Sequence, residues 1–319
     1  MLTPSAFHTL LQTRDTLILD GALATELETR GHNLNHPLWS GKTLRDDPSS
    51  IQKVHLDYFL AGADIAITAS YQATPAGLSA HFQMDASASK DLISTSVKLA
   101  SQAREEAYQQ GVRRQLLVAG SVGPYGAYLA DGSEYRGDYT LSLEGFKDFH
   151  RPRIQALIEA GVDLLALETI PSVSEIQALM ELLREEFPSA IAWLSCTIRS
   201  PGMLSDGTAW EDVLPLLTEQ IVGFGINCVP CSMAAEALKQ IGSKTKIPLV
   251  CYPNSGETWD AETKTWRSLK ADDAQTPGLV EELDRWQQHG ARLIGGCCRT
   301  GPDFIRAVSS YLETQSNTS

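Results

Sequence analysis

A single (β/α)8 barrel is the fold class the sequence predicts, and three features predict it. Eight short apolar runs recur along 319 residues, helix-like stretches separate them, and the longest irregular segments all follow the runs. The runs are Thr16–Asp20, Ala63–Thr68, Gln115–Gly120, Asp163–Thr169, Ala190–Thr197, Ile221–Cys228, Ile247–Asn254 and Ala291–Cys298. They do not alternate strictly between apolar and polar, which suits parallel strands buried on both faces. An open doubly wound sheet is the competing arrangement. Its G-x-G-x-x-G signature is missing, because the first run ends Asp20-Gly21-Ala22-Leu23-Ala24, and no P-loop is present.

Between the runs, Ser174–Phe187 carries Ile176, Leu179, Met180, Leu183 and Phe187 on one helical face, with Ser172 and Glu175 placed as a capping box. A second helix is expected from about Ser50 to Gly62, and a last one from Thr300-Gly-Pro-Asp303 onward. The phrases AGAD (61–64), EAGVD (159–163) and QHGAR (288–292) each read as helix stop, tight turn and strand start. The long segments Gly31–Asp47, Ser121–Asp138, Arg199–Ala209 and Pro253–Gly278 would line the C-terminal rim, where barrel active sites form. The expected unit is one domain over 1–319, with its core at about 16–314 and a disordered tail at 315–319.

Composition excludes several functions. Apolar residues at 43% and charged residues at 20% belong to a globular chain rather than a disordered one. With 26 Lys+Arg against 39 Asp+Glu, net -13, there is no basic patch for nucleic acid or an anionic membrane. The N-terminus lacks a secretory pattern and no apolar run is long enough to span a bilayer, so a cytoplasmic protein is expected. In that reduced compartment, six cysteines read as ligands or thiols rather than staples.

Polar residues at the ends of the runs converge on the rim: Asp20, Thr68 and Ser70, Glu168, Asn227 with Cys228, Tyr252 and Asn254, then Gly295-Gly296-Cys297-Cys298. Runs six and eight feed the same interior layers of a barrel, so Cys228 can meet Cys297 and Cys298. Three thiolates suit Zn2+ with a fourth position left for substrate. The two glycines let adjacent cysteines both turn inward. Cys231 is the rival third ligand, and Cys228-x-x-Cys231 also admits a redox pair or half a zinc ribbon. Cys196 and Cys251, inside apolar runs, read as core. Asp20 and Glu168 are open to a structural reading, as ion pair or helix cap, and to a rim role in proton transfer or in holding an ammonium group. Trp39, Tyr125 and Tyr128 are either loop packing or a face for an onium cation.

The phrases LDGALATELE (19–28), ITASYQATPAG (67–77), AGSVGPYGAYLADGSEYRGDY (119–139), GINC (225–228), YPNSGE (252–257) and GARLIGGCCRTGP (290–302) resemble the homocysteine S-methyltransferase family, closest to its S-methylmethionine-dependent branch. The resemblance runs from about Thr16 to Ala307. It implies zinc bound by Cys228, Cys297 and Cys298, and methyl transfer to homocysteine. It also implies Asp20 and Glu168 at the amino acid end of homocysteine and Trp39 near the donor cation; Asn227, from its place at the end of the sixth run, is expected among the substrate contacts. Cys231 falls outside the family pattern, and Ala22 stands where many relatives have a second glycine.

The chemistry agrees. A free alkyl thiol, with pKa about 8.5, is only a few per cent thiolate at neutral pH, and metal binding deprotonates it. A sulfonium is a good methyl donor because displacement leaves a neutral thioether. The barrel uses these residues without a cobalamin module, so S-methylmethionine or S-adenosylmethionine is expected rather than a folate. A related thiol or selenol methyltransferase, for example one acting on selenocysteine, is the alternative. A zinc-storing or redox-sensing barrel is the reading from another class.

Overall fold

The computed structural model describes residues 1–256, 258–260, 265–267 and 280–316. Its eight barrel strands are β1 (Leu17–Ile18), β2 (Ile65–Ile67), β3 (Leu117–Val122), β4 (Leu164–Ile170), β5 (Ala192–Cys196), β6 (Ile221–Asn227), β7 (Leu249–Tyr252) and β8 (Ala291–Ile294). Each lies within one of the eight expected runs or overlaps it closely. All pair in parallel with their sequence neighbours, β1 pairs with β8 through Leu17↔Leu293, and the bridge Leu19↔Ile65 closes the ring. That closure rules out the open sheet.

Alternate residues of the strands form two cores. Leu17, Leu19, Ile65, Leu117, Ala119, Leu164, Ala166, Trp193, Val222, Val250 and Leu293 fill the barrel, while Ile18, Val118, Leu165, Leu167, Leu194, Phe224 and Ile294 pack under the helices. Burial on both faces is why the runs read as continuous apolar stretches. Helix Pro48–Ala61 starts from Asp47, whose carboxylate accepts the Ser50 amide, and stops at Gly62 with φ 122°. Helix Pro302–Ser316 closes the chain and runs into the segment expected as tail; residues 317–319 lie outside the described residues.

Two expectations need correction. Helix Val173–Glu186 has no side-chain cap from Ser172, and Glu175 is not turned back to the helix start. Its carboxylate instead accepts from the Tyr125 amide at 2.7 Å and from the Tyr139 hydroxyl, and faces His150 Nε2 at 2.8 Å. The core also begins before residue 16. Helix Pro4–Arg14 sends Phe7 and Leu11 into the interior cluster, plugging the barrel at the end opposite the rim. Arg14 pins it to buried Asp64 at 3.0 Å.

The rim carries the long connections. Segment 31–47 contains helix Ser40–Asp46, segment 121–138 contains helix Tyr125–Leu129 and the turn Ser133–Tyr135, and 199–209 lies in a hairpin of Ile198–Ser200 with Met203–Leu204. Of the expected 253–278 connection, only 253–256 and the paired strands Thr258–Asp260 and Thr265–Arg267 fall within the described residues. No described helix is long and apolar enough to cross a membrane.

Candidate metal and substrate site

The sulfurs of Cys228, Cys297 and Cys298 lie within 4.8 Å of one another, and those of Cys228 and Cys298 are 3.7 Å apart. Backbone bonds aim them. Cys228 follows β6 with φ 53°, its amide donating to the Tyr252 carbonyl at 3.1 Å. The Cys297 amide donates to the Pro253 carbonyl at 2.8 Å, and the Cys298 amide to Asn254 Oδ1 at 3.1 Å. The turn into the cysteine pair exists because Gly295 and Gly296 lack side chains. A Cβ on Gly295 would lie 2.6 Å from the Leu19 Cβ, and one on Gly296 2.2 Å from Thr300 Oγ1.

The three thiols act on one another through hydrogen bonds. Hydrogen bonds from Cys297 and Cys298 pull the Cys228 thiol well below the ordinary cysteine value, and those two are pushed up in return. Three converging sulfurs, one of them held toward its thiolate form, are a soft donor set for a divalent metal. Tyr135 closes over it, its hydroxyl 3.3 Å from the Cys228 sulfur. Cys231 is not in this group. It begins helix Cys231–Gly242, buried, with its thiol pushed up to about 12 by burial. Cys196 and Cys251 are buried core, and all six cysteines are unpaired.

Glu168 lies near the C-terminal end of β4 and is only 8% exposed. The Ser121 hydroxyl donates to its Oε1 and the Tyr252 hydroxyl to its Oε2 at 3.2 Å. Burial pushes its pKa up to about 7 in spite of these two bonds, which favour the ionised form. Tyr252 is itself held by Ser195 and by the Trp193 indole N–H at 3.1 Å. Asp20 is buried too. Its Oδ2 accepts the Ile67 amide at 2.8 Å, and burial, with the charge of Glu168 adding to it, raises its pKa well above the carboxylate range. Neither acid is an ion pair or a helix cap among the described residues, which leaves them as acceptors at the rim.

Asn227, expected among the substrate contacts, is bound to the protein itself. Its Oδ1 accepts the Thr169 amide at 2.8 Å and its Nδ2 donates to Thr169 Oγ1 at 2.9 Å. Thr169 has φ 64°, so the amide clamps a strained residue directly after Glu168. Trp39 also has positive φ, 45°, and its ring meets Tyr71 edge-on at 6.4 Å. Tyr125 and Tyr128 are loop packing, their rings tilted or edge-on among Tyr139, Phe146 and Phe149. Thr68 and Ser70 are buried cross-links from β2 to Ser121.

Several groups at the site were not singled out from the sequence: Tyr71, Glu134, Tyr135 and Ser121. All sit in phrases whose neighbours were noticed. What the sequence does not display is that the turn Ser133–Tyr135 folds back over β6.

The profile described as Homocysteine S-methyltransferase matches residues 17–312. The chain is 55% identical over 304 residues to the homocysteine S-methyltransferase of Escherichia coli, covering 94% of this chain and 96% of that one. It is 46% identical over 315 residues to homocysteine S-methyltransferase YbgG of Bacillus subtilis, covering 97% and 98%. Among solved structures, the metallated form of the Escherichia coli homocysteine methyltransferase MmuM superposes with a TM-score of 0.86 at 52% identity, covering 95% of this chain and 99% of that one.

Proposed function

The chain belongs to the homocysteine S-methyltransferase family, and from that premise we propose how its rim moves a methyl group to homocysteine. The transfer itself follows from the identity to the Escherichia coli enzyme over nearly the whole chain. The finer reading is that the metal is Zn2+, held by Cys228, Cys297 and Cys298, and that the donor is S-methylmethionine or S-adenosylmethionine.

The observation that carries this reading is the convergence of three sulfurs from two strands beside two buried carboxylates. The donor set fits zinc. Tetrahedral Zn–S bonds of about 2.3 Å put sulfurs about 3.8 Å apart, and Cys228 and Cys298 already stand at 3.7 Å. When bound, a zinc ion with three thiolate ligands offers its remaining position to the homocysteine sulfur and keeps that sulfur ionised at neutral pH.

The protein's own residues supply the rest. Asp20 and Glu168 accept the substrate ammonium group, whose positive charge favours their ionised forms against the cost of burial. Asn227, through Thr169, fixes the backbone that presents Glu168. Trp39 and Tyr71 form an aromatic wall suited to a sulfonium. In the transfer the donor's S–CH3 bond breaks and its electron pair stays on the donor sulfur, now neutral. The homocysteine sulfur forms the new bond with its own electron pair. Alignment of the two sulfurs, rather than acid–base chemistry, is what the rim contributes to rate. The unpaired thiols support a reduced, cytoplasmic setting.

The test is methionine formation from homocysteine with each sulfonium, using protein as isolated, stripped by a chelator and reloaded with zinc. Turnover that vanishes on stripping and returns with zinc is expected. Full turnover by metal-free protein would overturn the zinc reading. Cys298→Ser is expected to lose metal retention and activity while the barrel stays folded, read by metal content and circular dichroism.

A further inference from the structure

Asp20 and Glu168 have partners and an assigned ligand, but a third carboxylate at the rim has neither. Glu134 sits in the turn Ser133–Tyr135, directly before the tyrosine whose hydroxyl lies 3.3 Å from Cys228 Sγ. The turn is anchored by Thr197, which donates to the Glu134 carbonyl at 2.8 Å, and by the packing of Gly126 against the Glu134 amide. Glu134 Oε2 is buried and has no hydrogen-bond partner. Burial pushes its pKa up to about 7, with the charge of Cys228 adding to the rise, so a cation bound beside it would favour its ionised form; Glu134 acts on Tyr71 as well.

No described cation forms an ion pair with it, although the charge of nearby Arg136 favours its ionised form. Arg153 is the buried guanidinium of this region, and it is committed to the carbonyls of Tyr71 and Gly123 and to His150. Arg136, two residues on, is engaged by Asp131 and Asp138. A buried carboxylate oxygen without a partner costs free energy, so it persists where something else supplies the compensating charge. The reaction brings in such a charge on its second substrate.

We propose that Glu134 is a specificity-determining residue for the methyl donor, its carboxylate selecting the positively charged sulfonium over uncharged molecules of the same shape. The assignment rests on the sulfonium reading above. It has a kinetic signature. The sulfonium loses its charge as the methyl group leaves, so a nearby carboxylate favours the bound donor more than the transition state. Its removal therefore raises the donor KM and leaves kcat unchanged or higher.

The experiment compares wild type, Glu134→Gln and Glu134→Asp in steady-state kinetics with S-methylmethionine and homocysteine. Homoleucine, the uncharged carbon isostere of the donor, serves as inhibitor. Glu134→Gln is expected to raise the S-methylmethionine KM roughly tenfold, the factor for about 1.4 kcal/mol, with homocysteine KM and homoleucine inhibition unchanged. Glu134→Asp, which keeps the charge, is expected to fall between. A donor KM that does not move in Glu134→Gln overturns the assignment, as does a parallel loss for donor, homocysteine and homoleucine, which marks a structural role. Absence of wild-type turnover with either sulfonium would overturn the donor reading and this assignment together. Wild-type turnover with an unresponsive Glu134→Gln would overturn the assignment alone.

Discussion

Glu168 owes its usefulness to two hydroxyls that offset its burial. Ser121 and Tyr252 each donate to one carboxylate oxygen, and with both in place the group titrates at about 7. Tyr252→Phe keeps the ring and removes one of the two bonds that favour the charged form, so the pKa rises further. More of the enzyme then carries a protonated Glu168 at neutral pH, which in the role proposed for it weakens its hold on the homocysteine ammonium group. The acid limb of kcat/KM for homocysteine is expected to move up by about one pH unit, with activity recovering at higher pH. A uniform loss at every pH would mean that Tyr252 acts on something other than Glu168. Asn227→Ala acts one step further out, by freeing Thr169 from its positive φ. It is expected to raise homocysteine KM while the three cysteines still hold metal, read by kinetics beside metal analysis.

At the scale of elements, helix Pro48–Ala61 contains a residue that its apolar neighbours do not accommodate. His55 is fully buried, neither ring nitrogen has a partner, and burial lowers its pKa to about 4. The unfolded chain binds a proton near 6.5, so this helix contributes full stability above that pH and loses it as the pH falls toward 4, on the order of 3 kcal/mol in all. His55→Leu removes the proton site, and urea denaturation should show its stability advantage over wild type growing between pH 7.5 and pH 5. An advantage of equal size at both pH values would disprove the assignment. His55 also shows where sequence reading stops. The eight strands were legible because burial on both faces leaves an apolar run that needs no knowledge of its neighbours. The cysteine site was legible because strand ends in a barrel meet at one rim. Glu175 was misread because Ser172-x-x-Glu175 has the spacing of a cap, whereas His150, Tyr125 and Tyr139 reach the carboxylate from other elements. Asn227 was assigned to substrate on position alone, and only the closed barrel, which brings the ends of β4 and β6 together across β5, shows it bound to Thr169.

Across the whole molecule the barrel separates chemistry from stability along its axis. The rim end gathers Thr169, Cys228, Arg299 and Trp39, all with positive φ, together with buried Asp20 and Glu168 and the half-buried Glu134, while at the other end Asp15, closing the first helix, shares that backbone conformation. The opposite end is sealed by helix Pro4–Arg14, where Phe7 is fully buried in the barrel interior and Arg14 meets Asp64, which Arg114 also reaches at 3.1 Å. Strain and unpartnered charge at one end must be offset by packing elsewhere, and the plug is the part of that packing furthest from the reaction. Phe7→Ala leaves a cavity at the base of the barrel and is expected to destabilise the fold by about 3–5 kcal/mol. Because no residue of the plug touches the cysteines or the two acids among its described contacts, the KM values and metal content of the folded fraction are expected to stay near wild type. Denaturant unfolding and steady-state kinetics on the same preparation check both halves. A large change in homocysteine KM with little loss of stability would show that the two ends are coupled through the strands, and that the base of the barrel helps to set the geometry of its rim.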